Sequence, residues 1–261
     1  MRVVAVGDIA CAPGEPTSPT HCQQASTARL ATSLDPEAVI ALGDLQYESG
    51  SESGFEESYS TSWGRLRSIT RPTPGNHEYG TPAADGYFAY WDHPPPWYAW
   101  DAGSWRIYML NSNCGDVDCA AQAEWLSADL TDNARECTAI AMHYPRYSSG
   151  KHGSAQFMSR FWKVAYSHHV DLALAGHDHN YERFAPMDAK GAVRPGRGIT
   201  SFVVGTGGKS LYERGEPEVG SEYFQNSVFG VLSLTLSAHD FSWEFFDTHG
   251  SVLDEGSTSC S

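Results

Sequence analysis

Five short motifs carry side chains able to bind cations, and they follow one another along the chain: Gly7-Asp8, Gly43-Asp44-Leu45-Gln46-Tyr47, Gly75-Asn76-His77-Glu78, Ile140-Ala141-Met142-His143 and Gly176-His177-Asp178-His179. Any one alone says little, because Gly-Asp is common and a lone histidine at a strand end is usually structural. Together they offer carboxylates, an amide oxygen, a phenol and imidazoles. That mixture suits hard or borderline divalent and trivalent ions, and the donors are more than one ion takes. Two neighbouring cations are therefore expected. Their mutual repulsion falls when a carboxylate gives one oxygen to each, and Asp44 is the candidate bridge. A glycine ahead of a ligand allows a sharp turn at the strand end. His177 and His179, two residues apart in an extended segment, project to the same side and can serve adjacent ions.

The elements that must position these groups are legible as apolar runs rich in Val, Ile and Ala. Residues 3–8, 38–44, 69–77, 138–143 and 170–179 each run into a polar end, glycine-containing in all but 138–143, which reads as a strand leading into a loop. Helical patterns fall between them at 23–34, 55–66, 122–130 and 156–166, the first stopped by Asp35-Pro36. This alternation predicts α/β layering with a site on the loops at the strand C-terminal ends. Segments 97–100 and 105–111, flanking Asp101-Ala102-Gly103-Ser104, predict a hairpin. Residues 202–205, 229–236 and 241–246 alternate apolar with polar and predict half-buried strands. No internal repeat, low-complexity tract or linker is apparent, so 1–261 reads as one catalytic domain. The stretch 87–100, with Pro94-Pro95-Pro96, reads either as one wall of a substrate cleft or as a rigid surface loop.

Composition narrows the function. The formal net charge of -15, from 17 Lys+Arg against 32 Asp+Glu, argues against holding nucleic acid by its backbone, which needs clustered cations. No apolar run approaches the roughly 18 residues of a membrane span. Six cysteines without a Cys-x-x-Cys pair favour disulfides in an oxidising compartment over a zinc knuckle. The favoured pairing is Cys11 with Cys22, Cys114 with Cys119, and Cys137 with Cys260. A secreted or extracytoplasmic protein is expected, with Met1 standing where a leader has been removed.

The motif set resembles the calcineurin-like metallophosphoesterases, and within them the purple acid phosphatases. The usual first motif of the wider family is Asp-x-His, whereas this chain has Asp8-Ile9-Ala10, and Ala10 cannot ligate. Tyr47, three residues after Asp44, completes the Gly-Asp-x-x-Tyr signature of the purple branch. The resemblance extends through Tyr181-Glu182-Arg183 and Val204-Gly205-Thr206-Gly207-Gly208. It implies a ferric site of Asp8, Tyr47 and His179 and a second site of Asn76, His143 and His177, with Asp44 shared. The second ion would be divalent Fe, Zn or Mn. The implied fold is two mixed β-sheets packed face to face and flanked by α-helices.

The same resemblance places His77 and His152 on the substrate side. His77 would hydrogen-bond the phosphate or protonate the leaving group, with Glu78 orienting it. For His152 the plainer reading, an exposed loop histidine beside Lys151 and Gly153, carries equal weight. Arg146 and Arg183 are expected in salt bridges rather than on phosphate. The implied reaction is hydrolysis of a small-molecule phosphate monoester by attack of a metal-bound hydroxide, releasing inorganic phosphate, with no nucleic-acid or membrane partner. A phosphodiesterase or nucleotide hydrolase on the same two-metal site is the first alternative. Loss of the purple character, with Mn or Zn at both positions, is the second, and a non-catalytic domain using metal only for folding is the third.

Overall fold

The computed structural model describes residues 1–261. Thirteen strands are present: β1 (Arg2–Val6), β2 (Ala38–Leu42), β3 (Thr70–Thr73), β4 (Tyr98–Ala102), β5 (Trp105–Met109), β6 (Thr138–Ala141), β7 (Leu172–Ala175), β8 (Tyr181–Met187), β9 (Ile199–Val204), β10 (Ser221–Gln225), β11 (Gly230–Leu236), β12 (Asp240–Asp247) and β13 (Val252–Ser259). They form two mixed sheets, of order β13-β12-β11-β1-β2-β3 and β10-β8-β9-β7-β6-β5-β4. In the first, β1, β2 and β3 run parallel. In the second the parallel group is β5-β6-β7-β9.

Alternation along the strands builds the layers. Ile107 and Met109, Ala139 and Ala141, and Leu172 and Leu174 face the first sheet in one continuous core. Their neighbours Tyr108, Ile140 and Ala173 face the other way, onto the helices Cys119–Asp132 and Ser159–Ser167. A strand buried on both faces must be apolar at every position, which is why these runs lack the period of two. The first sheet is covered by the helix Gln24–Ser33 and an irregular helical stretch over 52–69. Each fully buried large apolar side chain, such as Phe202, contributes about 1.5–3 kcal/mol. The face-to-face sandwich with flanking helices is therefore the one expected.

The helix expected over 55–66 is not regular. Gly54, Gly64 and five serines and threonines between 53 and 62 weaken α-helical propensity, and the stretch contains one widened turn at Phe55–Tyr59 and a tight one at Trp63–Ile69. Tertiary packing of its aromatics compensates: Phe55 stacks on Tyr90 at 4.7 Å and Tyr59 meets Trp91 edge-on at 5.7 Å. Neither reading of 87–100 holds whole. Tyr87, Tyr90 and Trp91 belong to the core, while Pro94, Pro95 and Tyr98 line a groove with Arg67 and Arg71 that contains none of the candidate ligands.

All three favoured disulfides are present. Cys137–Cys260 spans 123 residues and ties the segment after β13 to the start of β6. By loop-closure entropy such a link stabilises the fold by about 4–5 kcal/mol. No helix is long and apolar enough to cross a membrane.

Candidate metal centre

Strand register delivers the motifs to one place. Val6 lies beside Ala41 and Leu42 beside Thr73, so the loops bearing Asp8, Asp44 and Asn76 leave the first sheet side by side. Ala141 pairs with Leu174 in the second sheet, bringing out His143 next to His177. The two sheets are joined at this end, where the Gly7 N–H donates to the Val204 carbonyl at 2.8 Å.

There the seven expected ligands converge as two groups sharing one carboxylate. In the first, Tyr47 Oη lies 2.9 Å from Asp8 Oδ1, 3.0 Å from His179 Nε2 and 3.1 Å from Asp44 Oδ2. In the second, His143 Nε2 lies 3.1 Å from Asn76 Oδ1 and 3.3 Å from both His177 Nδ1 and Asp44 Oδ2. Asp44 Oδ2 thus touches both groups, while its Oδ1 accepts the His77 N–H at 2.8 Å. Asp8 divides likewise: Oδ1 faces inward and Oδ2 accepts the His177 N–H at 2.9 Å. His143 is oriented by Nδ1 donating to the Leu42 carbonyl at 2.9 Å, and His179 Nδ1 lies 3.0 Å from Ser210 Oγ. Each of these bonds leaves the opposite ring nitrogen aimed inward, as a metal-ligating histidine requires.

The electrostatics of this cluster fit cations. Asp8 and Asp44 are fully buried, and no lysine or arginine pairs with either. Burying carboxylates without a compensating charge is costly. Protons partly fill the gap. Burial opposes the charged form of His143, but the Asp44 carboxylate more than offsets it and draws the pKa up to about 9. Burial, then the Asp44 and Asp8 charges, push the Tyr47 phenol well above its ordinary value. Burial and the charge of His143 hold His177 down at about 2. A metal ion competes for the same lone pairs that these protons occupy, and supplies the missing positive charge.

The glycines act mainly by absence of a side chain. Only Gly43, at φ +81°, has the left-handed turn expected of it; the candidate ligands Asp8, Asp44 and His177 themselves sit at φ of 60°, 50° and 73°. Non-glycine residues held there cost about 1–3 kcal/mol each, strain that the surrounding structure must impose. A Cβ on Gly75 would lie 2.1 Å from Asp44 Oδ1, and one on Gly176 2.7 Å from Asp8 Oδ2. Both positions must stay bare for the carboxylates to pack.

Several groups do something other than expected. Glu78 does not orient the His77 ring. It is buried and its carboxylate accepts the N–H groups of Gly75, Asp44, Leu45 and Gln46 at 2.7–3.2 Å, locking the two ligand loops together. Burial and the adjacent Asp44 push its pKa up to about 7 against those amides. Asp178, between the two histidines, accepts from the Ser148 hydroxyl at 2.5 Å and the His152 N–H at 2.8 Å, and so fixes the 148–152 loop. Tyr212 stacks on His179 with ring centroids 3.9 Å apart. These roles were invisible in sequence because each acts through the backbone or a ring face on a distant segment. Arg183 pairs with Asp254 and Glu222 as expected. Arg146 forms no ion pair and instead lies buried over the Tyr147 ring at 4.4 Å.

The two histidines expected on the substrate side stand at the rim. His77 is partly exposed, its Nδ1 2.6 Å from the Glu48 carbonyl and its Nε2 4.0 Å from Asp44 Oδ2. His152 is exposed, with its ring 4.7 Å from that of His177. His152 is thus an exposed loop histidine, as the plainer reading has it, on a loop that borders the cluster.

A double-sheet sandwich with a buried carboxylate, phenol and imidazole cluster on its strand-end loops defines a class of protein built around metal ions. The chain belongs to the calcineurin-like phosphoesterase family, whose model matches residues 1–181. It is 31% identical over 252 residues to purple acid phosphatase 21 of Arabidopsis thaliana, covering 85% of this chain and 56% of that protein. It is 26% identical over 239 residues to tartrate-resistant acid phosphatase type 5 of Sus scrofa, covering 76% and 69%. The chain thus spans little more than half the length of the plant relative. Among solved structures, purple acid phosphatase PPD1 from yellow lupin (Lupinus luteus) seeds superposes with a TM-score of 0.81 over 99% of this chain and 53% of that one, at 21% identity. That likeness establishes the fold.

Proposed function

We propose that this chain is a phosphomonoesterase of the purple acid phosphatase type, with residues 1–261 acting as one catalytic unit. Asp8, Tyr47 and His179 would hold a ferric ion, Asn76, His143 and His177 a divalent Fe, Zn or Mn ion, and Asp44 both. The observation that carries the reading is Asp44 Oδ2, at 3.1 Å from the Tyr47 phenol and 3.3 Å from the His143 imidazole. When bound, such a pair of ions supplies Lewis acidity that neutralises a phosphoryl group and activates water.

The chain's own residues supply the rest. With Nδ1 donating to the Glu48 carbonyl, His77 keeps Nε2 for the substrate. In its protonated form that nitrogen can hand a proton to the departing alcohol oxygen. Its backbone N–H meanwhile fixes the Asp44 carboxylate. Tyr212 stacks on His179, and Asp178 holds the loop that carries His152 beside the cluster. The three disulfides support a secreted or extracytoplasmic protein, and the acidic charge balance supports a small phosphate ester, not nucleic acid, as substrate.

The test is hydrolysis of p-nitrophenyl phosphate beside bis(p-nitrophenyl) phosphate by the purified protein. The monoester is expected to turn over with kcat/KM about 10²-fold or more above the diester, a gap of roughly 2.7 kcal/mol in transition-state stabilisation. Preference for the diester would move the assignment to a phosphodiesterase, and inertness toward both would leave the metal-dependent binding domain.

A further inference from the structure

Resting on that reading, we propose that the cleft beside the second ligand group takes the alcohol half of the ester and selects cationic alcohols, of the choline or ethanolamine kind. The cleft has a volume of about 380 Å³ and is bounded by Asn76, Tyr79, Asn113, Asp116, Tyr144 and Phe157. It opens off the candidate metal centre itself. Asn76 Oδ1 is 3.1 Å from His143 Nε2, and the Tyr144 ring is 4.3 Å from that of His177 and 5.3 Å from that of His143. An ester whose phosphoryl group sits at the ligand cluster has this space adjoining it, and the volume falls within the range of small-molecule sites.

Of the nine residues lining the cleft three are aromatic and one is charged. Tyr144 and Phe157 meet edge-to-face at 5.3 Å, and Phe157 is 50% exposed, contributing little to the core. Tyr79 is fixed by the Asn111 amide, which donates to its Oη at 2.7 Å. Asp116 is exposed and has neither an ion pair nor a side-chain hydrogen bond, and its charge reaches both Tyr79 and Tyr144. No lysine or arginine lines the cleft. Two lysines at the ligand cluster are engaged outside the cleft: Lys209 with Glu15 and Glu48, Lys151 over the Tyr212 ring. The loop that carries Asp116 is preformed, held by Cys114–Cys119 and by the Asn113 amide donating to the Pro74 carbonyl at 3.2 Å.

Aromatic faces beside an unpaired carboxylate are the chemistry that recognises an ammonium group. An alcohol bearing a carboxylate or a second phosphate meets the Asp116 carboxylate there with no lysine or arginine to offset it, a repulsion reinforced by the overall charge of -15. Selection is thus expected to be read in kcat/KM between esters of the same shape and different charge.

Phosphocholine and 3,3-dimethylbutyl phosphate differ by carbon in place of the quaternary nitrogen. The metal-loaded protein is expected to favour phosphocholine by about tenfold in kcat/KM, and Asp116→Asn to bring that ratio down to about two. Phe157→Leu is expected to reduce it by about threefold, because the leucine keeps bulk and loses the ring face. A wild-type ratio near one, or a ratio that neither variant moves, overturns the inference while the phosphomonoesterase reading stands. Failure to hydrolyse either ester or p-nitrophenyl phosphate overturns that reading and this inference with it.

Discussion

Asp44→Ala is expected to abolish metal loading and turnover together. Asp44 Oδ2 is the oxygen that lies against ligand side-chain atoms of both sets, and without it two cations would face each other with no anion between them. The loss of Lewis-acid stabilisation should lower kcat/KM for p-nitrophenyl phosphate by about 10⁴-fold or more, about 5–6 kcal/mol. Elemental analysis should fall from two ions per chain to one or none. Circular dichroism should remain native, since Oδ1 accepts only the His77 N–H from the backbone. Full metal content with wild-type activity would contradict the bridging role.

His77→Ala should separate chemistry from metal binding. The ring packs against Tyr47 with centroids 4.3 Å apart and brings Nε2 to 4.0 Å from Asp44 Oδ2, but it takes none of the seven ligand positions, so both ions are expected to stay. What is lost is a proton for the leaving oxygen, a contribution of about 10²–10⁴-fold in general acid catalysis. The size of the loss must follow the leaving group. An alkyl phosphate, whose alkoxide leaves poorly, should slow by about 10²-fold or more. p-Nitrophenyl phosphate, whose phenolate needs no proton, should slow by less than about tenfold. Equal losses for both esters would assign His77 to phosphate binding alone.

Much of this arrangement was legible in the sequence because its logic is local. Each ligand motif closes an apolar run, and a strand buried on both faces leaves few other places for a polar residue than its end. The hairpin of β4 and β5 announced itself through Ala102-Gly103-Ser104, where Gly103 adopts φ +63°. Cysteine pairing followed from short loops for two bridges, which left one partner choice for the third. Strand β8 was missed, and so were the edge strands β10 and β13. Their sequences, SEYFQ and VLDEGSTS, lie at the sheet margins where one side has no neighbour, so polar residues interrupt the alternation that marks inner strands.

The second layer of the site was illegible for a different reason. Glu78 binds four backbone amides from two loops, and nothing in its own neighbourhood signals partners some thirty residues away. The glycines were read as turns, whereas Gly75 and Gly176 serve by leaving room for carboxylates from other loops. Such close approaches are properties of the assembled fold, not of any window of sequence.

The central claim is that Tyr47 and Asp44 hold a pair of metal ions between the two ligand groups. Metal analysis with the visible absorption spectrum, taken on the purified protein and on Tyr47→Phe, tests it most directly. The account predicts two ions per chain, at least one of them iron, and a visible phenolate-to-iron band that Tyr47→Phe removes. A protein holding no more than one ion per chain, or a band that survives the loss of the Tyr47 hydroxyl, would contradict it.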